Sequence, residues 1–184
     1  GYEIDFLAVG TEGQSGDAIL LRFGNLTGPR EKQRVVVVDG GFKDTANDIV
    51  QHVKHYYGTR MIDLVVSTHP DSDHINGIHD LVATAAKGEI HIRELWMHRP
   101  SRWRSTVERA LRKAEGTEYD TAARRTLESA AELEAAAMAA GIPIRDPFTA
   151  LTDASGKLTV VGPSQEFYCS LFEEEARASV LESR

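Results

Sequence analysis

A short buried strand that runs directly into a cluster of histidines and aspartates most constrains the fold of this chain. The apolar run is LVV at residues 64–66, and the polar segment STHPDSDH follows it at residues 67–74. After the cluster, apolar residues recur at the spacing of one helix face, at Ile78, Leu81, Val82 and Ala85. The cluster therefore lies on a loop between a strand and a helix, where α/β sheets place ligands and reactive groups.

The spacing of the polar residues within this loop indicates a metal site. In an extended segment, side chains two residues apart point the same way, so His69 and Asp71 face one ion. Asp73 and His74 follow at the turn into the helix and face a second ion. Two ions about 3.5–4 Å apart hold a water molecule or hydroxide between them. The alternative is a polar loop in which Asp73 and His74 only begin the helix, but capping requires far fewer such residues.

The same segment carries a family resemblance. HPDSDH at residues 69–74 resembles the H-x-H-x-D-H signature of the metallo-β-lactamase superfamily, with Asp71 in place of the second histidine. Together with INGI at residues 75–78, it resembles the hydrolase domain of ComEC-type bacterial DNA-uptake proteins and their soluble relatives. The segments GDAILL at 16–21 and VDGG at 38–41 agree with this subfamily. The resemblance covers about the first hundred residues.

This resemblance implies an α/β fold, a metallo-β-lactamase-like αββα sandwich whose two halves each contain a sheet and helices. Hydrophobic patterns predict helices near 44–57 and 167–182, and strands near 4–10, 18–23, 34–39, 61–68, 92–98 and 158–162. These strands suffice only for the first half of the sandwich. We expect a single domain of residues 1–184, the N-terminal part of a larger hydrolase, with a helical hairpin insertion at 101–140 that covers the site or binds a partner.

The metal site that the superfamily pattern implies is incomplete in this sequence. That pattern includes a later aspartate that bridges the two ions and a last histidine for the second ion. No histidine follows His98, and the later aspartates, Asp120, Asp146 and Asp153, lack a matching context. We therefore expect a C-terminal half of the protein, or a partner chain, to complete the site.

Asp39 is a candidate supporting residue for the site. It follows four consecutive valines at 35–38 and precedes two glycines. It either ends the strand in a simple turn or orients a metal-bound histidine through a hydrogen bond, and the resemblance favours the orienting role.

His98 is the candidate third ligand of the ion held by His69 and Asp71. It ends the strand predicted at 92–98, where the superfamily usually has its next metal ligand. The alternative is a structural histidine that packs beside a tryptophan, at position 96 or 103.

Basic residues follow His98 closely. Six of residues 99–113 are Arg or Lys, against the single acid Glu108, while the whole chain has a formal net charge of −7. The surface as a whole does not attract a polyanion, so contact with nucleic acid must come from a local patch or from bound metal. The alternative is an ordinary solvated helix face. The candidates to bind a phosphate backbone are Arg99, Arg102 and Arg104.

The function that we expect is metal-dependent hydrolysis of phosphodiesters, most of all those of DNA. A metal-bound hydroxide would attack phosphorus, and Asp73 would be the catalytic residue that orients the attacking water. Two divalent ions are the expected cofactors; zinc fits best, and the hard Asp71 ligand also accepts manganese or magnesium. Alternatives are a hydrolase of small esters, thioesters or lactams, or an inactive binding or regulatory module, since one fold hosts many functions.

Targeting and redox features of the sequence are few. Neither a run of about 20 apolar residues nor a signal-peptide pattern is present, which predicts a soluble cytoplasmic protein without a membrane segment. The single cysteine, Cys169, excludes an internal disulfide.

Overall fold

The computed structural model of the protein describes the backbone of residues 1–11, 13–113 and 118–182. The chain divides into two compact units. The first comprises Gly1–Met97 and Glu132–Arg145, and the second comprises His98–Ala131 and Asp146–Arg184. The residues that form the predicted metal loop lie in the first unit.

Short strands form the framework of the first unit. In chain order they are β1 (Tyr2–Phe6), β2 (Ile19–Gly24), β3 (Gln33–Val38), β4 (Met61–Ile62), β5 (Leu64–Val66), β6 (His91–Ile92), β7 (Leu95–Trp96) and β8 (Ile144–Arg145). Six of them form one sheet in the order β1-β2-β3-β5-β7-β8. β1, β2 and β3 are antiparallel, whereas β3, β5, β7 and β8 run parallel.

The valine-rich strand β3 lies at the change from antiparallel to parallel pairing. Val35 and Val37 point to the same face of this strand and have no exposed surface, as expected for a strand in the centre of a sheet. The parallel strands end at the same edge of the sheet, and the loop that carries the histidines and aspartates leaves β5 at this edge.

The strand predicted at 61–68 is wrong in its extent, because it consists of two strands in different sheets. β4 pairs with β6 in a separate two-stranded sheet, and β5 joins the main sheet. Asp63 lies between them, where its buried carboxylate accepts hydrogen bonds from Val35 N at 2.9 Å and from Arg30 Nη2 at 3.0 Å. The strand predicted at 92–98 divides in the same way into β6 and β7.

The strand predicted at 158–162 is wrong as well. Residues 158–162 form no strand, and their β pairing is limited to an isolated bridge between Thr159 and Thr152. The sheet is instead extended by β8, which pairs with β7. β8 has only two residues, and one of them is the charged Arg145, so it carries no apolar alternation that a sequence pattern would detect.

The helices are α1 (Thr45–His55), α2 (Ser72–Ala86), α3 (Pro100–Lys113), α4 (Glu118–Ala139) and α5 (Gln165–Glu182). α1 and α5 lie within two residues of their predicted bounds. In the first unit, α1 and α2 contact each other, and most side chains of their apolar stripes are buried. The buried side chains of these stripes are Ile49, Val53, Ile75, Ile78 and Leu81.

Two glycines let α2 approach the end of β3 closely. A Cβ atom at Gly77 would lie 1.8 Å from the carbonyl oxygen of Gly40, and one at Gly40 would lie 2.4 Å from the backbone nitrogen of Ile78. Backbone hydrogen bonds cross this contact, from Gly40 N to His74 O at 2.8 Å and from Gly77 N to Gly41 O at 2.9 Å. Because neither glycine has a side chain, the backbone of α2 lies directly against the end of β3, and His74 is held close to that end.

One face of β1 is apolar and exposed. Tyr2, Ile4 and Phe6 alternate along β1 and so point to the same face, with exposed fractions of 76%, 48% and 75%. Residues paired with them on β2 share that face because cross-strand partners lie side by side. These partners are Phe23, Leu21 and Ile19, of which Phe23 is buried and the other two are partly buried.

The second unit contains α3, α5 and the loop of residues 146–164, and α3 contacts α5. Aromatic rings cluster in this unit, with Trp103 near Phe148 and Tyr168 near Phe172 at centroid distances of 5.4 and 5.2 Å. Among the described residues of both units, no helix has the length and apolar content needed to cross a membrane.

Candidate metal centre

His74 is held against a buried aspartate that follows a different strand. It lies in the first turn of α2, and its Nδ1 atom is 3.0 Å from Oδ2 of Asp39, directly after β3. The Asp39 side chain is 4% exposed, and the His74 side chain is 12% exposed. Asp39 has a φ of 57°, a left-handed conformation that aspartate tolerates better than most residues and that is common at functional positions.

His69 is connected to the same carboxylate through a threonine. The backbone nitrogen of Thr68 donates to Oδ1 of Asp39 at 2.8 Å, and its hydroxyl donates to Oδ2 at 2.5 Å. The same hydroxyl oxygen lies 2.8 Å from Nδ1 of His69. The rings of His69 and His74 are neighbours, with centroids 3.8 Å apart. Asp39 thus reaches Nδ1 of both rings, directly for His74 and through Thr68 for His69.

The other ring nitrogens face the two aspartates of the loop. Nε2 of His69 is 3.6 Å from Oδ2 of Asp71, and Nε2 of His74 is 3.6 Å from Oδ2 of Asp73. Asp71 is the N-cap residue of α2, but its side chain makes no capping hydrogen bond. Helix capping therefore does not account for the carboxylate of Asp71.

This donor set fits divalent cations. Two ligand atoms about 2.1 Å from a tetrahedral zinc ion lie about 3.4 Å apart, which is close to the observed 3.6 Å separations. Asp39, His69 and His74 also place one ligand atom each within 4.8 Å of one another. Because Asp39 already accepts hydrogen bonds from Thr68 and faces His74 Nδ1, its geometry favours support of the histidines over direct coordination. The ligand assignments themselves stay predictions.

The sequence patterns did not identify two residues of the site, Thr68 and Asp17. Thr68 has no signal beyond its position before a histidine. Asp17 lies with Oδ2 3.9 Å from Nδ1 of His74, and its backbone nitrogen donates to Asp73 O at 3.3 Å. The signal for Asp17 was its place in the GDAILL segment, which carried the resemblance without a stated role for the aspartate.

A model of the metallo-beta-lactamase superfamily matches residues 16–159, which is more than half of the chain. The chain belongs to the metallo-β-lactamase superfamily. The match confirms the superfamily and the α/β fold class predicted from the loop. Members of the superfamily are generally metal-dependent hydrolases, so divalent-metal binding is the expected property of this fold.

Two solved structures of the superfamily are similar to the chain. A metallo-β-lactamase with a HARLDQ motif from Cronobacter sakazakii is 18% identical, with a TM-score of 0.35, over 61% of this chain and 36% of that one. A metallo-β-lactamase from Hirschia baltica is 21% identical, with a TM-score of 0.35, over 59% of this chain and 42% of that one. The chain therefore spans less than half the length of either structure. No curated protein sequence matches it.

His98, the predicted third ligand, lies in the second unit of this superfamily member, among aromatic rings. Its ring stacks on Tyr168 with a centroid distance of 4.2 Å and lies 4.7 Å from Phe148. Burial lowers the pKa of His98, and the nearby charge of Asp146 acts in the opposite direction. Among the described residues, its Nδ1 atom is buried without a hydrogen-bond partner. The predicted role in metal binding stays a prediction.

Two of the three predicted phosphate-binding arginines form ion pairs with a buried acid. Asp146 accepts hydrogen bonds from Arg99 Nε at 2.9 Å, from Arg99 Nη2 at 2.6 Å and from Arg102 Nη1 at 3.1 Å. The Arg102 side chain is 58% exposed, so most of it still faces solvent. The side chain of Arg104 lies outside the described residues. Substrate binding by these three arginines stays a prediction, and no sequence pattern marked Asp146 as the partner of two of them.

Proposed function

We propose that this chain is part of a divalent-metal-dependent hydrolase that cleaves phosphodiesters of DNA. The observation that carries the proposal is the pair of neighbouring imidazoles whose Nδ1 atoms are anchored while their Nε2 atoms face Asp71 and Asp73. Anchoring of one ring nitrogen fixes the orientation of the other, which is the usual arrangement of metal-binding histidines.

Each residue of the loop has a proposed role. His69 and Asp71 hold one ion, with His98 as the further ligand, and Asp73 and His74 hold the second. Bound divalent cations would supply an activated water nucleophile and positive charge for the phosphoryl oxygens. Asp73, whose side chain is 34% exposed, orients the attacking water. Asp71 provides a hard carboxylate where the superfamily signature has a histidine, so the site accepts manganese or magnesium as well as zinc.

The substrate class rests on the basic groups and on the subfamily resemblance. Arg99 and Arg102 each have five N–H donors, of which the bonds to Asp146 use only some, so donors remain for phosphate oxygens. The segments at 16–21, 38–41 and 69–78 support a relation to the ComEC-type hydrolase domain of DNA-uptake proteins. A phosphodiester substrate is the ligand that agrees with both features.

The test is cleavage of DNA by the natural full-length protein, with zinc, manganese or magnesium supplied one at a time. The variant Asp73→Ala should lose both cleavage and binding of the second ion, and cleavage by the native protein should fall steeply as salt is raised. Asp48→Ala changes an exposed aspartate on α1 and is the control that keeps both properties. Full cleavage by Asp73→Ala rejects the role of Asp73. Hydrolysis of esters, thioesters or lactams without cleavage of DNA favours the alternative hydrolase, and no bound metal favours the inactive module.

We further propose that a C-terminal half of the protein contributes a second sheet that covers the exposed apolar face of β1, and that this half also supplies the missing metal ligands. The support is the exposed face formed by Tyr2, Ile4 and Phe6, since soluble proteins seldom leave such a patch uncovered. Oxidative footprinting of the natural full-length protein tests this. Tyr2 should react less than Tyr56, which has a similar exposed fraction of 67% in this chain. Equal reactivity of the two tyrosines contradicts the proposal.

A further inference from the structure

We propose that Thr68 is a positioning residue whose hydroxyl fixes His69 in the tautomer that carries its proton on Nδ1. His69 then presents Nε2 as a lone pair to a divalent cation. This inference deepens the proposed function, on whose metal site it rests. Thr68 lies one residue before the first histidine of the loop, and its side chain touches both Asp39 and His69.

A count of protons leads to this tautomer. The hydroxyl of Thr68 has one proton and two acceptor lone pairs, whereas an ionised carboxylate only accepts. Oγ1 of Thr68 lies 2.5 Å from Oδ2 of Asp39, so the single proton is donated to Asp39. The same oxygen lies 2.8 Å from Nδ1 of His69 and has no proton left for it. A hydrogen bond at that distance therefore requires His69 to donate from Nδ1.

Asp39 fixes the second ring by a direct contact. Oδ2 of Asp39 lies 3.0 Å from Nδ1 of His74, and a carboxylate oxygen requires a proton on that nitrogen. Both rings thus carry their protons on Nδ1, and both Nε2 atoms face loop aspartates at 3.6 Å. The two histidines differ in the group that Nδ1 faces: His74 faces the carboxylate of Asp39 and, at 3.9 Å, that of Asp17, whereas His69 faces the hydroxyl of Thr68.

The hydroxyl has an effect because His69 is exposed. Its side chain is 44% exposed, compared with 12% for that of His74, so packing constrains it less. A neutral histidine side chain free in water prefers to carry its proton on Nε2, the nitrogen that faces Asp71. Without the hydroxyl, His69 would return to that preference, and its proton would block the nitrogen proposed to bind metal.

Two variants separate the hydroxyl from the shape of the side chain. Thr68→Val removes the hydroxyl with little change in volume, and Thr68→Ser keeps it. Nitrogen-15 NMR of the imidazoles in the metal-free natural full-length protein, at a pH where both rings are neutral, reports each tautomer. We expect an Nδ1 proton on His69 in the native protein and in Thr68→Ser, and an Nε2 proton in Thr68→Val. His74 should keep its Nδ1 proton in all three proteins, which also shows that Thr68→Val remains folded.

Metal affinity gives the second readout. Chelator competition with zinc should show a loss of about 10–100-fold in Thr68→Val, the usual effect of removing a hydrogen-bond partner of a metal-bound histidine, and little change in Thr68→Ser. An Nε2 proton on His69 in the native protein overturns the proposal, whether or not the valine variant folds. Equal zinc affinity in the native protein and Thr68→Val overturns it too. A protein that follows these expectations but does not cleave DNA refutes the proposed function and leaves the role of Thr68 intact.

Discussion

Asp146 binds Arg99 through both the Nε and the Nη2 atoms of its guanidinium, at 2.9 and 2.6 Å. The backbone nitrogen of Arg99 donates to the same carboxylate at 3.0 Å. Burial alone would raise the pKa of Asp146, but the hydrogen bonds and charge of Arg99 outweigh it and hold that pKa below its ordinary value. The folded state therefore favours the ionised carboxylate, and the pair contributes to stability.

Replacement of this acid by its amide should destabilise the protein. Loss of one partner from a buried ion pair costs about 3–5 kcal/mol. The side chains of Arg99 and Arg102 are 23% and 58% exposed, and solvent screens them. We therefore expect Asp146→Asn to lower the free energy of unfolding by about 2 kcal/mol at pH 7, measured by urea denaturation. An unchanged free energy would show that the pair has no net effect.

The same pair predicts a dependence on pH. The pKa of Asp146 is lower in the folded state than the value of about 3.9 for an unfolded chain, so its contribution is present above that value. It is lost as the pH falls through the folded pKa, where both states bind the proton. The difference in unfolding free energy between the native protein and Asp146→Asn should therefore shrink below about pH 4. A constant difference from pH 7 to pH 3 contradicts this.

Asp39→Asn tests the carboxylate that connects the two histidines. Asparagine keeps the shape of the side chain and tolerates the φ of 57°, so the fold should persist. It offers one carbonyl oxygen where Asp39 uses both of its oxygens on Thr68 and His74, so at least one of these contacts is lost. We expect zinc affinity to fall about 10–100-fold in a chelator competition assay, with a thermal unfolding midpoint close to that of the native protein. An unchanged zinc affinity in this variant would show that Asp39 does not support the metal-binding histidines.

The elements of the fold that sequence patterns predicted correctly are those determined by residues close together in the chain. Four consecutive valines predict a central strand at 34–39, and the structure has β3 at Gln33–Val38. The amphipathic patterns of α1 and α5 give their bounds to within two residues. The polar loop between β5 and α2 also appears where the apolar run of residues 64–66 ends.

The parts that sequence did not predict depend on contacts between distant residues. β4 and β5 separate at Asp63 because that residue binds Arg30 and the backbone of Val35, about thirty positions earlier. Asp146 engages Arg99 and Arg102 across more than forty positions, and no local pattern marks it as their partner. Thr68 is adjacent to His69 in the chain, yet its role depends on Asp39, which only the pairing of β3 with β5 brings near.

Asp63→Asn should destabilise the first unit more than the loss of a surface ion pair. The side chain of Asp63 is 7% exposed, and it lies 3.0 Å from Arg30, 3.9 Å from Arg34 and 3.4 Å from Arg93. We expect the free energy of unfolding to fall by about 2 kcal/mol, since solvent screens the partly exposed arginines but the buried negative charge that they face is lost. The matched control is Glu3→Gln, which breaks a pair with Arg22 in which Glu3 is 43% exposed, and which should cost less than about 1 kcal/mol. Equal effects in urea denaturation would contradict the importance of burial here.

Gly77→Ala should destabilise the protein although it adds a good helix former to a helix. In an exposed helix, alanine is more favourable than glycine by about 1 kcal/mol. At Gly77, the new Cβ atom would lie 1.8 Å from the carbonyl oxygen of Gly40, so α2 must move away from β3. We expect a loss of about 1–3 kcal/mol in unfolding free energy and a weaker contact between His74 and Asp39, seen as reduced zinc affinity. The control Ala83→Gly, at an exposed position of the same helix, should cost about 1 kcal/mol with unchanged zinc affinity. A stabilising effect of Gly77→Ala would show that the contact with Gly40 can relax.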